Sequence, residues 1–134
     1  VSSNSVVEAL DAFTDALKAA PKSGEVHEAM LDIQDYLESA GDLIAKYIDE
    51  PVPFSTFKLN TKARSAKLKK AIQDSADAYQ DLIEADGVLQ SVKVTSPSLQ
   101  EKLQALEDAI ASAQDDLASA IEAMGGPPPD IAGA

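Results

Sequence analysis

The sequence predicts an all-α protein, an antiparallel bundle of four main helices with room for an additional short helix. Two observations support this prediction. Apolar residues recur at alternating steps of three and four along four segments, the spacing that aligns side chains on one helix face. Prolines lie at the boundaries of these segments, where helices end or begin. A chain of 134 residues has the length of one domain, so we assign residues 1–126 to a single bundle and residues 127–134 to a Gly/Pro-rich tail.

The fourth segment, residues 97–124, has the most regular pattern. Ser96 and Pro97 predict its start as an N-cap and a first-turn proline, and Gly125 with Gly126 predicts its end. The acidic residues fall off its apolar stripe, as expected for a helix with one buried face. The stripe consists of Leu99, Leu103, Leu106, Ile110, Ala113, Leu117, Ala120 and Met124.

The first helix is expected to begin at Ser5, because Ser5 and Glu8 have the spacing of a capping box, and to end before Pro21. Its predicted stripe is Val6, Leu10, Phe13 and Leu17.

Ser23 and Gly24 predict the cap of the second helix, which should end near Asp49 because two prolines follow. Gly41 falls inside this helix, where it either permits close packing or marks a bend. The predicted stripe is Val26, Met30, Ile33, Leu37, Ala40, Ile44 and Tyr47.

The third helix should run from about Thr61 to Asp86, with Gly87 as its C-terminal breaker. Residues 88–95 are compatible with a helical extension or an irregular turn. The predicted stripe is Leu68, Ile72, Ala76, Tyr79 and Ile83.

Residues 50–60 form the one long predicted connection, and they include Phe54 and Phe57. One interpretation is a hydrophobic plug that folds over the end of the bundle. The other is a mobile lid or surface anchor that meets an apolar ligand.

The formal charge of −12 and the sequence pI near 4.3 make nucleic acid a poor partner. Six of the eleven basic residues nevertheless fall within positions 58–70. Pairing with nearby acids is one explanation for this cluster. The alternative is that Lys62, Lys69 and their neighbours meet an anionic head group at the mouth of an apolar pocket, with Tyr47 and Tyr79 as hydrogen-bond donors to a carboxylate.

No motif fixes an enzymatic chemistry. The single histidine, His27, lacks the Glu-x-x-His spacing of di-iron bundles, and no carboxylate occupies a predicted stripe position. We therefore expect the carboxylates to lie in water, with no metal, no cofactor and no catalytic residue. The absence of cysteine excludes disulfides and thiol chemistry. No apolar run is long enough for a transmembrane segment.

Three stretches carry a resemblance to a known family: Glu-Ala-Asp-Gly-Val at 84–88, Ser-Leu-Gln-Glu-Lys-Leu-Gln-Ala-Leu at 98–106 and Leu-Ala-Ser-Ala-Ile at 117–121. With the order and size of the helices, they resemble the fungal hydrophobic surface-binding protein A family, which includes cell-wall galactomannoproteins. The resemblance implies a small secreted helical protein that adsorbs to hydrophobic surfaces or holds a fatty acid. It also implies a secreted hydrolase as a partner.

The expected function is therefore that of a secreted or cell-wall, non-enzymatic bundle that binds lipids or hydrophobic surfaces as a monomer or weak dimer. The start at Val1 fits removal of a signal peptide. The alternative is a structural or protein-interaction module cut from a larger protein, in which exposed helix faces or the tail bind another chain.

Overall fold

The computed structural model describes residues 3–49 and 61–125. These ranges are helical apart from short links and contain no strand. The helices are α1 (Ser3–Ala19), α2 (Glu25–Asp49), α3 (Thr61–Ser91) and α4 (Pro97–Ala123).

Each helix packs against two neighbours, so the four helices surround one core. α1 and α3 both contact α2 and α4. Residues 20–24 and 92–96 are short links that reverse the chain, and the Ser5 hydroxyl near the start of α1 donates to Asp116 in the last third of α4. Neighbouring helices are therefore antiparallel, and the predicted all-α bundle is confirmed.

The core is filled by apolar side chains from all four helices. The largest of the fully buried ones are Val6, Met30, Ile33, Leu37, Leu82, Leu99, Leu106, Ile110, Leu117 and Ile121. Of the large hydrophobic side chains in the described ranges, Val7 and Leu31 are the exposed ones.

The α4 seam follows the prediction over most of its length and departs from it near the C-terminus. Leu99 through Leu117 of the predicted stripe are buried, but Ala120 and Met124 are half-buried, and Ile121 takes the next core position. A straight helix has 3.6 residues per turn, so a strict seven-residue repeat drifts off the buried face. The predicted start is confirmed, because Ser96 is the N-cap and accepts a hydrogen bond from the amide of Leu99.

The capping box predicted at Ser5 is wrong. Ser5 lies inside α1, where its hydroxyl bonds across to α4. The α1 stripe is also corrected, since Leu10 and Leu17 are half-buried and flank the core. The buried seam is Val6, Ala9, Phe13, Ala16 and Ala20.

Two glycines explain how α2 begins and how it meets α1. Gly24 has φ +93°, a conformation that favours glycine, and its carbonyl accepts the first helical hydrogen bond from the amide of Glu28. The chain stays helical through Gly41, where a Cβ would lie 3.2 Å from Leu10 Cδ1. Gly41 therefore allows close packing between α1 and α2, which is the first of the two predicted alternatives.

The third helix is longer than predicted, and its core face is different. α3 continues through Gly87 to Ser91, so the predicted breaker is wrong and the first turn of residues 88–95 extends the helix. Of the predicted stripe, Tyr79 is buried, whereas Leu68, Ile72, Ala76 and Ile83 are half-buried. The residues that form the buried face are Ala71, Asp74, Ser75, Ala78, Tyr79, Leu82, Ala85 and Leu89.

Candidate functional site

The side chain of Asp74 on α3 is the least expected feature of the bundle, because it is a carboxylate in a buried position. Asp74 is 4% exposed. Its Oδ1 lies 3.2 Å from the Nζ of Lys70, one turn earlier on the same helix. A buried charge requires such partners, because transfer of an unpaired carboxylate out of water is strongly unfavourable. The prediction that the carboxylates all lie in water is therefore wrong.

Asp74 lies at the edge of a groove between α2 and α3 with a volume of about 500 Å³. From α2, the groove is lined by the carboxylates of Asp35, Glu38 and Asp42. Lys70 is the basic residue in this lining. The groove therefore carries a net negative charge. Within residues 3–49 and 61–125, however, no group of three or more His, Asp or Glu residues is placed to hold a metal ion.

A second carboxylate of α3 makes a polar contact with α2. The hydroxyl of Ser39 hydrogen-bonds Asp81, which is half-buried. Burial raises the pKa of Asp81, the Ser39 bond lowers it, and the nearby charges of Asp77 and Glu84 raise it, with burial as the largest effect.

The α3–α4 interface carries one charge effect and one further polar contact. Burial, followed by the negative charge of Asp115 on α4, raises the pKa of the buried Tyr79. Eleven residues further along α3, the side-chain amide of Gln90 donates to Glu107 on α4, with 2.7 Å between Gln90 Nε2 and Glu107 Oε1. α3 is thus joined to both of its neighbours through polar as well as apolar contacts.

A smaller groove lies between α1 and α4 and has a volume of about 400 Å³. Its lining mixes small residues with charges of both signs. The lining residues are Ala12, Asp15, Ser98, Glu101, Lys102 and Ala105.

The predicted ligand-binding residues are only partly within the described structure. Tyr79 is in the core and Lys69 is on the exposed surface of α3. Tyr79 is ten positions after Lys69, which corresponds to about 15 Å along the helix axis, so one compact head group cannot touch both.

Tyr47 lies near the end of α2 and Lys62 in the first turn of α3, but their side chains are outside the description. Phe54 and Phe57 lie outside the described residues, as does the whole 50–60 connection, so neither the plug nor the lid interpretation is tested. Residues 126–134, which include the predicted tail at 127–134, are also outside them.

The apolar pattern of α3 does not predict its buried polar residues, because that pattern favours a buried face around Leu68 and Ile72. The spacing of Lys70 and Asp74, an i, i+4 pair within a helix, was the available signal. His27 is half-buried, and its Nδ1 is shielded from solvent without a hydrogen-bond partner among the described residues.

In the described ranges, no helix combines the length and hydropathy required to cross a bilayer. Comparison with protein-family models, with curated proteins and with solved structures found no match.

Proposed function

We propose that this protein is a non-enzymatic helical bundle that binds lipids or hydrophobic surfaces by opening. The observation that supports this proposal is the distribution of apolar side chains. All four helices are amphipathic, and their large apolar residues are directed inward, with Val7 and Leu31 as the exposed exceptions in the described ranges. The closed bundle therefore offers little apolar surface, whereas the opened bundle offers four apolar faces.

Opening at an apolar surface replaces contacts within the bundle by contacts with that surface. Burial of apolar area is worth about 25 cal/mol per Å² whether the covering phase is protein or oil. In water, by contrast, the same opening exposes the seams and is unfavourable. The bundle therefore opens only in the presence of a lipid or an apolar surface.

Opening starts between α1 and α4, the neighbouring helices that no link joins, and α3 then leaves the core. Its buried face includes Ala71, Ala78 and Ala85, which contribute less apolar area than leucine. It also holds the Asp74 and Asp81 carboxylates at least partly out of water, and separation from α2 restores their hydration. Both properties reduce the free energy needed to remove α3 from the bundle.

Within this proposal, Phe54 and Phe57 make the first apolar contact, and Lys62 and Lys69 meet an anionic head group. Tyr79 becomes accessible on opening, and Tyr47 and Tyr79 donate hydrogen bonds to the carboxylate of another lipid molecule. The setting we propose is a secreted or cell-wall one, with a secreted hydrolase as a partner, following the family resemblance of the helix pattern.

The test combines native mass spectrometry in the presence of oleate with interfacial tension at a hexadecane–water interface. We expect stoichiometric oleate adducts, or a fall in tension on addition of the protein. A bare mass together with an unchanged tension would contradict the proposed function.

Matched variants distinguish opening from adsorption of the closed bundle. The double substitution Val7→Ser and Leu31→Ser removes the exposed apolar side chains of the described surface. If the bundle opens, this variant lowers the tension as the wild type does, whereas Phe54→Ser with Phe57→Ser slows the fall. Loss of adsorption in the Val7/Leu31 variant would instead identify the closed surface as the binding face.

A further inference from the structure

Gln90 differs from the other glutamines that bond a carboxylate in the described ranges, because its hydrogen bond crosses between helices. Most of these glutamines donate to a carboxylate four residues later on their own helix. These intrahelical pairs are Gln34–Glu38, Gln73–Asp77, Gln80–Glu84 and Gln104–Asp108. Gln90 on α3 instead donates to Glu107 on α4.

The same amide lies near a second carboxylate. Asp86 is one turn earlier on α3, where the Gln90 side chain favours its ionised form, and Gln90 Nε2 lies 2.7 Å from Glu107 Oε1. A glutamine amide has two N–H donors, so it is able to interact with two acceptors. Asp86 and Glu107 are both half-buried.

Two ionised carboxylates so placed repel each other. The last turn of α3, which ends at Ser91, adds the negative end of a helix dipole. Burial is the largest cause that raises the pKa of Asp86, and the charge of Glu107 raises it further, while the Gln90 bond lowers it.

We propose that Asp86, Gln90 and Glu107 form a proton-dependent clamp that holds α3 against α4 more firmly in acid than at neutral pH. A proton from solvent binds a carboxylate oxygen of Asp86 and removes one of the two negative charges. Repulsion between the helices is then replaced by contact between a neutral carboxyl group, the Gln90 amide and one remaining carboxylate.

Other charges around α3 do not perform this role. On α3 itself, Asp81 and Glu84 are the nearest carboxylates before Asp86. From α2, the helix packed on the other side of α3, the groove is lined by Asp35, Glu38 and Asp42, and none of these is among the charges that shift the pKa of Asp86. Asp74 is twelve residues before Asp86, which is about 18 Å along the helix. Glu107 is the charge of α4 that acts on Asp86.

The sign of the pH dependence follows from the raised pKa of Asp86. The folded protein binds this proton more tightly than the unfolded chain does. The contribution of the clamp to stability is therefore complete below the usual aspartate pKa of 3.8 and is lost as the pH rises through the raised value. The clamp itself does not depend on the proposed function. Its consequence for lipid binding, which is easier opening at neutral pH than in acid, rests on that function.

Urea unfolding of the lipid-free protein at about pH 4 and about pH 7 tests the clamp by linkage. Asp86→Asn removes the titrating charge, so we expect its midpoint at neutral pH to rise and the difference between the two pH values to shrink. The matched control is Asp108→Asn, which removes one charge from an exposed aspartate bonded to Gln104 on its own helix.

General repulsion in a chain of charge −12 predicts the same change for both variants. Equal changes, or an Asp86→Asn variant that is less stable or unfolded at neutral pH, would overturn the clamp.

A second measurement follows the Asp86 carboxyl carbon by NMR as the pH is varied. In Glu107→Gln, which keeps the size of the side chain and removes its charge, the titration midpoint of Asp86 should move down, and in Asp108→Asn it should not. An unchanged Asp86 midpoint in Glu107→Gln would show that the two carboxylates are not coupled.

Discussion

Leu106 and Leu31 show how position decides what one residue type contributes. Leu106 is fully buried in the α4 seam, whereas Leu31 on α2 is 43% exposed. Truncation of a buried leucine removes its transfer free energy and leaves a cavity.

We therefore expect Leu106→Ala to lower the free energy of unfolding by about 2–5 kcal/mol, out of a total of about 5–15 kcal/mol for a domain. Leu31→Ala is the matched control, with an expected change of about 0.5 kcal/mol or less. Chemical denaturation monitored by circular dichroism measures both. Similar losses in the two variants would contradict the assignment of the core.

At the level of single residues, the sequence predicted apolar burial well and polar burial poorly. The step pattern identified Met30, Ile33 and Leu37 in α2 and Leu99 to Leu117 in α4, because a large apolar side chain gains from burial wherever it lies. Asp74 was not predictable in the same way. Whether a carboxylate is buried depends on the partners that the folded chain brings to it, such as Lys70.

Among the helices, α3 shows that apolar periodicity alone does not identify the buried face of a helix. Its apolar residues cover a wide arc, so a stripe through Leu68 and Ile72 fits the sequence as well as one through Ala71 and Ala78. Packing against both α2 and α4 favours the second stripe, because its small residues let the neighbouring helices approach α3 closely. Helix propensity alone also predicted that α3 ends at Gly87. In the folded bundle α3 continues to Ser91.

The two glycines inside helices give a direct comparison of local and tertiary effects. A Cβ at Gly87 meets no atom within 4 Å, whereas at Gly41 it meets Leu10 Cδ1 at 3.2 Å. We expect Gly87→Ala to stabilise the protein by about 1 kcal/mol through helix propensity. Gly41→Ala should gain less, because the same propensity is offset by crowding against α1.

Thermal unfolding of both variants tests this comparison. Equal gains would show that α1 and α2 are not in close contact at Gly41. A loss in Gly87→Ala would show that α3 does not continue as a helix through this position.

For the whole molecule, the sequence predicted four helices in antiparallel order because short links leave few arrangements for amphipathic helices. It did not predict the polar contacts between helices. Asp81 with Ser39, and Gln90 with Glu107, depend on the register of neighbouring helices, and many registers satisfy the same apolar pattern. The candidate binding residues stay predictions, since Phe54 and Phe57 lie outside the described ranges.

Under the proposed function the bundle opens to bind an apolar surface, and the topology of the bundle provides a way to prevent opening. The chain itself connects α1 to α2, α2 to α3 and α3 to α4, but α4 contacts α1 without a covalent link. Ser5 and Asp116 are hydrogen-bonded across this interface. A disulfide between Ser5→Cys and Asp116→Cys would close the ring of helices, and it would be the sole disulfide because the chain has no cysteine.

The most direct measurement is the interfacial tension of this double variant at a hexadecane–water interface, oxidised and then reduced. Ser5→Cys alone, under both conditions, controls for the reductant. We predict that the oxidised protein leaves the tension nearly unchanged and that reduction restores the fall seen with the wild type. An equal fall in the oxidised and reduced states would contradict binding by opening.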